Sequence, residues 1–487
     1  MRIRRFSNKL AVSCIVAGFI SIVIFFVSND FGITWDEPIH IRNADRYISW
    51  IRRPVLSAKD ATFAADGEDV HPPLRKIIAG FTHELFTNRL NIIDNTRGYR
   101  ISSLLFVFPF IALLTYVAIG QFGYLVGLLV PLMFSFLPHV LFLTPLVTMD
   151  YAICALWFIA VMAGVKGVKN NFWLGVSAIC IGLTMLTKLH GFLLFVPVGG
   201  YLFWQKRYKK IIILILVACV VYIAGWPWLW TDTISHFQEY VQIQTSHGSV
   251  PEYIFGQTYA FAPWWYTPVM FLTTTPAIIL ILFVIGACTV DRIILLNALF
   301  PIVFFSLPGV YRYDWVRLFL PAFPFVCLIA GRGILLIQKK YRWIVIMLWL
   351  STLYISIIRI HPYESAYYNE FVGGVKGANL IGMETEFWGN SFLGVLSWMN
   401  VNKIHPMCVT PTTHPFYYYR AMGQIEPGVV FTADKDACER LVVLMRQGVF
   451  IRDPFVGKIV QTKKPVYSVS VDDVPMVNVY DIKGVRQ

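Results

Sequence analysis

The chain has 487 residues, of which 57% are hydrophobic and only 14% charged, with a mean hydropathy of +0.61. A soluble domain of that length cannot bury so much apolar surface, so composition excludes a soluble globular protein and sets the class as a polytopic α-helical membrane protein. The formal net charge of +13 is not a nucleic-acid signature, because many Lys and Arg residues fall in short clusters between apolar runs, where they report topology.

Residues 10–27 (LAVSCIVAGFISIVIFFV) carry no charge and follow the basic cap Met1-Arg2-Ile3-Arg4-Arg5, so the first run reads as an uncleaved span entered from the cytoplasm. Uncharged or nearly uncharged runs then begin near residues 101, 123, 146, 172, 191, 211, 267, 293, 317 and 343. Taking about 20 residues per crossing gives about eleven spans. The basic loops at Lys166 and Lys169, Gln205 to Lys210, Asp291-Arg292 and Gln338 to Arg342 all fall on the cytoplasmic side of that topology.

The expected division is a transmembrane part over 1–358, with extracytoplasmic loops 28–99 and 230–266, followed by an extracytoplasmic α/β domain over 359–487. Within that domain, Asp434 to Arg446 (DKDACERLVVLMR) reads as a helix with an acidic start and a basic end. Pro465 to Ile482 alternates like one or two strands. Of eight cysteines, Cys408 and Cys438 share this domain and are available to each other, while the other six behave as small apolar residues of the spans. Trp226 to Trp230 and Trp264-Trp265-Tyr266 read as interfacial aromatic belts, with stacking on a sugar as the alternative.

Ionisable residues gather at the outer boundary. Asp36 and Glu37, in Thr34-Trp35-Asp36-Glu37-Pro38, stand just past the first span, and Asp150 opens the fourth. A carboxylate placed within hydrocarbon costs about 2.5 to 3.5 kcal/mol on insertion scales, so Asp150 calls for a polar cavity or a partner. Lys188, between the fifth and sixth spans, supplies an opposite charge at similar depth. Arg100, Arg312 and Arg317 lie at the same boundary, against the positive-inside trend, and a cluster of cations there suits a phosphate. In His71-Pro72-Pro73-Leu74 the prolines hold the backbone rigid; His71 is positioned to contact a phosphate, to ligate a metal beside Glu37 or to pack at the interface.

In their order and membrane side, these pieces resemble the GT-C superfamily of integral-membrane glycosyltransferases, in the branch of protein O-mannosyltransferases and the bacterial lipid A aminoarabinose transferase. The matching segments are Trp35-Asp36-Glu37, His71 to Leu74, Arg97 to Arg100, Thr148-Met149-Asp150, Leu186-Thr187-Lys188 with Gly191, and Arg317 with Leu320-Pro321. A further segment, His361-Pro362-Tyr363-Glu364 followed by Tyr367-Tyr368-Asn369-Glu370 and Gly373-Gly374, is similar to one in bacterial members and implies that His361, Tyr363, Glu364 and Asn369 line the same cleft.

The resemblance implies an inverting transfer of a monosaccharide from a polyprenyl-phosphate donor to an acceptor hydroxyl on a glycan, lipid or protein, at the outer face of the inner membrane. Asp36 maps onto the family's general base with Glu37 beside it, Asp150 onto a second acid, and Arg100, Lys188 and Arg317 onto positions near the donor phosphate. Two departures concern the sugar and acceptor: Ile39 and His71 stand where the aminoarabinose branch has a basic residue and a lysine.

The chemistry agrees. With a phosphate leaving group, one base and a cationic cradle suffice, whereas glycoside hydrolysis usually requires two carboxyl groups. No dense metal-ligand spacing is visible, so no cofactor is implied and a divalent metal stays open. Rival classes are a transporter or flippase of a lipid-linked sugar and a ligase using a diphosphate-linked oligosaccharide; charges collected at one face instead of the midplane favour surface chemistry.

Overall fold

The computed structural model describes residues 2–55, 71–246 and 250–484. The middle of the first loop, residues 56–70, and the side chains of the basic N-terminal cap lie outside the described residues. Each of the apolar runs read from the sequence is helical, from α1 (Arg2–Val27) to Lys339–Arg359. Among the described residues, five helical segments are long and apolar enough to cross a membrane: Asn8–Val27 within α1, Asn95–Phe122, Asp150–Gly167, Arg317–Leu336 and Lys339–Arg359. The pair Tyr266–Thr274 and Ala277–Ala287, bent by 111°, makes a sixth if taken as one span. The remaining runs form shorter helices, among them Tyr124–Ser135, Asn171–Met185, Leu189–Trp204 and Arg292–Phe304.

One apolar core runs through these helices, and Asp150–Gly167 and Arg317–Leu336 are its most enclosed members, with 83% and 89% of their apolar windows buried. Both begin with an ionisable residue, so the most deeply buried helices carry Asp150 and Arg317 into the protein instead of into lipid. The first loop adds α2 (Glu37–Arg52) and α3 (Leu74–His83). The N–H of Leu74, an orphan donor at the start of α3, bonds to the carbonyl of Leu186 at 3.1 Å and so ties the Pro-Pro segment to the Lys188 loop.

A hairpin of β1 (Glu252–Ile254) and β2 (Gln257–Tyr259) precedes the bent helix pair. The C-terminal sheet has the order β4-β3-β5-β7-β6, from β3 (Met407–Thr410), β4 (Phe431–Thr432), β5 (Arg440–Leu444), β6 (Tyr467–Val471) and β7 (Val474–Asp481). β3 pairs in parallel with β4 and β5, while β7 runs antiparallel to β5 and β6. The β6–β7 hairpin matches the alternation read from the sequence, closed by Asp472-Asp473, both at positive φ as a two-residue turn of this kind requires.

The helix expected over 434–446 is instead the central strand β5, preceded by a short 3-10 turn at Lys435–Ala437. A strand flanked on both sides and buried on both faces reads as a continuous apolar run, and Leu441-Val442-Val443-Leu444 is one. Cys408 and Cys438 are joined in a disulfide that links β3 to the segment entering β5. The aromatic clusters are not uniform belts: Trp230 and Trp264 are exposed, but Trp226, Trp228 and Tyr266 are buried.

Candidate active site

Thr34 to Pro38 turn the chain from α1 into α2. Glu37 sits wholly inside, its Oε2 accepting from the Thr34 N–H at 3.1 Å and its Oε1 from the Val147 N–H at 3.0 Å. Both oxygens also take Arg100, with Nε to Oε1 at 2.9 Å and Nη2 to Oε2 at 2.7 Å. Arg100 spends its remaining donors on the carbonyls of Ser28, Phe31 and Gly32 at 2.6 to 2.9 Å. A guanidinium has five N–H donors and all are engaged within the protein, so Arg100 has none left for a phosphate. Glu37 and Arg100, expected at the catalytic and phosphate-binding positions, are paired with each other in a buried brace for the loop.

That brace turns Asp36 the other way. Asp36 occupies the N-cap of α2 without making the usual side-chain cap, and Pro38 opens the helix without a donor. Its Oδ2 instead accepts from the Trp388 indole N–H at 2.9 Å and lies 3.5 Å from Arg317 Nη2. With 31% of its side chain exposed, Asp36 is the accessible member of the cluster. Arg317 reaches three carboxylates: Asp36 by Nη2, Asp150 Oδ2 by Nε at 3.3 Å, and Asp314 by Nη1. Its guanidinium also lies 3.8 Å from the centroid of the Trp388 ring. Lys188 completes the line, its Nζ 3.3 Å from Asp150 Oδ1. Asp36, Arg317, Asp150 and Lys188 are thus one continuous chain of alternating charge.

Lys188 faces a cavity of about 350 Å³ whose walls are mainly apolar and include Leu193, Phe304, Phe305 and Leu318, with His190 also on the lining. Burial pulls the Lys188 ammonium below its ordinary pKa, and the nearby Asp150 opposes that shift. Arg312 lies on the neighbouring loop, beside a second cavity, and binds the carbonyls of Leu307 and Val310. It does not join the cluster at Arg317. The ring of His71 packs 6.2 Å from that of His40, one turn along α2 from Glu37, and Lys76 Nζ donates to the His71 carbonyl at 2.5 Å. Both Glu37 oxygens are already occupied by Arg100, which removes the ligand that a metal beside His71 would share. Among the described residues no group of three His, Cys, Asp or Glu is placed to hold a metal ion.

His361, Tyr363, Glu364 and Asn369, expected to line the cleft, are held by partners other than the ion chain. His361 bonds Glu364 Oε1 at 2.7 Å and Asp30 Oδ2 at 3.2 Å, beyond the end of α1. Hydrogen bonding to Glu364 raises its pKa. Tyr363 packs between two clusters of the C-terminal region. Asn369 bonds the carbonyls of Leu272 and Thr275 at 2.7 Å each, filling the break in the bent helix pair. His361 and Asn369 are held by these bonds, while Glu364 Oε2 is buried without a hydrogen-bond partner.

The segment that does reach the cleft is Glu384 to Ser391. Glu386 Oε1 accepts three consecutive N–H groups, from Phe387, Trp388 and Gly389 at 2.8 to 3.2 Å, and its Oε2 takes the Ser391 hydroxyl at 2.6 Å. This nest fixes a turn in which Gly389 has φ +82°, and the turn presents Trp388 to Asp36. The Trp388 carbonyl in turn accepts the Trp35 N–H at 3.0 Å. Trp388 was not legible as a site residue, since one tryptophan among 15 carries no spacing signal.

Several apolar helices and a small C-terminal sheet domain thus enclose a charged cluster beside an apolar cavity. Residues 70–230 match the family described as dolichyl-phosphate-mannose-protein mannosyltransferase. The fold is similar to that of ArnT from Cupriavidus metallidurans bound to undecaprenyl phosphate, at 14% identity and a TM-score of 0.53 over 96% of this chain and 97% of that one. It is equally similar to the apo state of the same protein, at 14% identity and a TM-score of 0.55 with the same coverage. No curated protein sequence matches the chain.

Proposed function

We propose that this protein transfers a monosaccharide from a polyprenyl-phosphate donor to an acceptor hydroxyl at the extracytoplasmic face of the membrane, with inversion at the anomeric carbon. The observation that carries the reading is the continuity between Lys188 on the wall of an apolar cavity and Asp36 at the accessible end of the same ion chain. A polyprenyl phosphate is itself an apolar chain ending in an anion, and the cavity with its ammonium complements both parts. The family match, and the undecaprenyl phosphate bound by the ArnT of similar fold, support the same donor class.

In this reading Asp36 takes the proton of the acceptor hydroxyl as its oxygen attacks the anomeric carbon. The bond from that carbon to the phosphate oxygen breaks, and the electron pair leaves with the phosphate. Lys188 stabilises the charge that grows there, so no acid catalyst is needed. Arg317 and the Trp388 indole hold Asp36 in place, and Asp150 holds both Arg317 and Lys188. Glu37 and Arg100 contribute the rigid loop beneath.

The test is Asp36→Asn, measured as release of undecaprenyl phosphate from a panel of undecaprenyl-phosphate-linked monosaccharides with cell-envelope acceptors. Loss of a general base lowers turnover by on the order of a hundredfold or more, with thermal stability and undecaprenyl phosphate binding retained. Turnover equal to wild type would remove Asp36 from the mechanism.

A further inference from the structure

We infer that Arg446, a residue of the C-terminal sheet domain, is a positioning residue of the transfer site: it fixes Asp314, and through Asp314 the Arg317 guanidinium on which Asp36 and Asp150 converge. The inference rests on the transferase reading above.

Arg446 follows β5 and is fully enclosed. Its Nη2 donates to Asp314 Oδ1 at 2.8 Å and to Glu252 Oε1 at 3.2 Å, and its Nη1 to the Phe387 carbonyl at 2.6 Å. Asp314 therefore shares its two oxygens between two arginines, Oδ1 with Arg446 and Oδ2 with Arg317. The guanidinium of Arg446 also lies 4.8 Å from the centroid of the Trp35 ring. Trp35 adjoins Asp36 in the chain, and Phe387 adjoins Trp388, which bonds Asp36 and stacks on Arg317. Arg446 thus reaches the surroundings of Asp36 by three routes.

The backbone of the 314 loop points the same way. Asp314 and Trp315 both have positive φ, +53° and +61°, a conformation that a bulky residue such as tryptophan rarely adopts without compensation. The compensation lies in the contacts: the Asp314 N–H bonds Glu252 Oε1 at 3.1 Å and the Trp315 N–H bonds the Tyr266 hydroxyl at 3.0 Å, while that hydroxyl donates to Glu252 Oε2 at 2.7 Å. Two strained residues are held by a buried acid so that one carboxylate can stand between two arginines.

A buried ion pair is often replaceable by apolar side chains at no loss of stability, so stability alone gives little reason for an enclosed arginine among Glu252, Asp314 and Glu384. Geometry gives a better one. Arg317 faces three carboxylates, and an Asp314 released from Arg446 would draw the guanidinium toward itself and away from Asp36. The sheet domain completes the catalytic cluster.

The test compares wild type with Arg446→Lys and with Arg446→Met/Glu384→Gln, in which the second change removes one of the two buried acids, Glu384 and Glu252, that the first would leave without their arginine. Thermal unfolding, binding of undecaprenyl phosphate and turnover at saturating donor are measured in nanodiscs, and the double variant is imaged by electron cryomicroscopy. The expected result is unchanged lipid binding by the folded fraction and a lower unfolding temperature in the double variant, where Glu252 loses its arginine, with turnover per folded molecule reduced about tenfold to a hundredfold, as for a misplaced catalytic group. The lysine variant recovers part of it, and in the map Arg317 has moved off Asp36. Turnover per folded molecule equal to wild type, or Arg317 unmoved in the map, would overturn the inference. If wild type itself releases no undecaprenyl phosphate from any donor, the transferase reading fails, and the position of Arg317 in the map still decides whether Arg446 holds it.

Discussion

Replacing Lys188 by Met removes the only charge that the ion chain places on the wall of the apolar cavity while keeping most of the side-chain volume. The lysine side chain is 3% exposed and its ammonium lies 3.3 Å from Asp150, so it is already held where a phosphate would meet it. A charge-assisted hydrogen bond contributes about 1.5 to 3 kcal/mol, and 1.4 kcal/mol is a factor of ten, so the variant should bind undecaprenyl phosphate about tenfold to a hundred-and-fiftyfold more weakly. Stability should suffer less, because Asp150 keeps Arg317 Nε at 3.3 Å and is not left as an unpaired buried charge. The assay is titration of undecaprenyl phosphate into protein in nanodiscs, read by native mass spectrometry, with thermal unfolding in parallel. Lys188→Arg should restore binding only in part, since a planar fork does not reproduce a compact ammonium. Unchanged affinity in a normally folded Lys188→Met protein would refute the assignment of this cavity to the donor.

Arg100 provides the contrasting case: Arg100→Met strips Glu37 of its ion pair and leaves three backbone carbonyls without donors. Breaking such a buried pair costs about 3 to 5 kcal/mol, so the variant should unfold at markedly lower temperature. The fraction that remains folded should bind undecaprenyl phosphate normally; selective loss of binding at normal stability would return Arg100 to the donor site. Stability should also depend on pH through Glu252, whose carboxyl burial pushes up from an ordinary 4.5 to about 7, against the pull of Arg446. A raised carboxyl stabilises the fold while protonated, so its contribution is complete below about pH 4.5, shrinks as pH rises above that and is gone above about 7. The unfolding midpoint in detergent should therefore fall between about pH 4.5 and 7 and level off above, and Glu252→Gln should flatten that slope; an identical slope in the variant would exclude Glu252 as its origin.

The parts of the site that the sequence made legible are the ones that violate a simple rule. Asp150, Lys188 and Arg317 interrupt or border apolar runs, where an unpaired charge is costly, and the structure brings all three together with Asp36. Arg100 and Glu37 break the same rule for another reason, a brace whose partners are backbone carbonyls, and no spacing distinguishes a guanidinium saturated by carbonyls from one awaiting a phosphate. His361 and Asn369 are polar residues in a motif, yet they reach Asp30 and the helix break at 272–275, far away in sequence. The strand at Arg440–Leu444 was hidden by its own burial, because a central strand lacks the alternation that identified β6 and β7. Trp388 and Arg446 were illegible for the most general reason: each acts through a contact made only once the C-terminal domain has packed onto the helices.

The central claim is that the ion chain from Lys188 to Asp36 joins a lipid-phosphate site to a general base. An electron cryomicroscopy map of the protein in nanodiscs containing undecaprenyl phosphate tests it most directly. The account predicts the phosphate about 3 Å from Lys188 Nζ, the prenyl chain along Leu193, Phe304 and Leu318, and Asp36 open to the space beside it. A lipid phosphate bound away from Lys188, with this cavity empty, would contradict it.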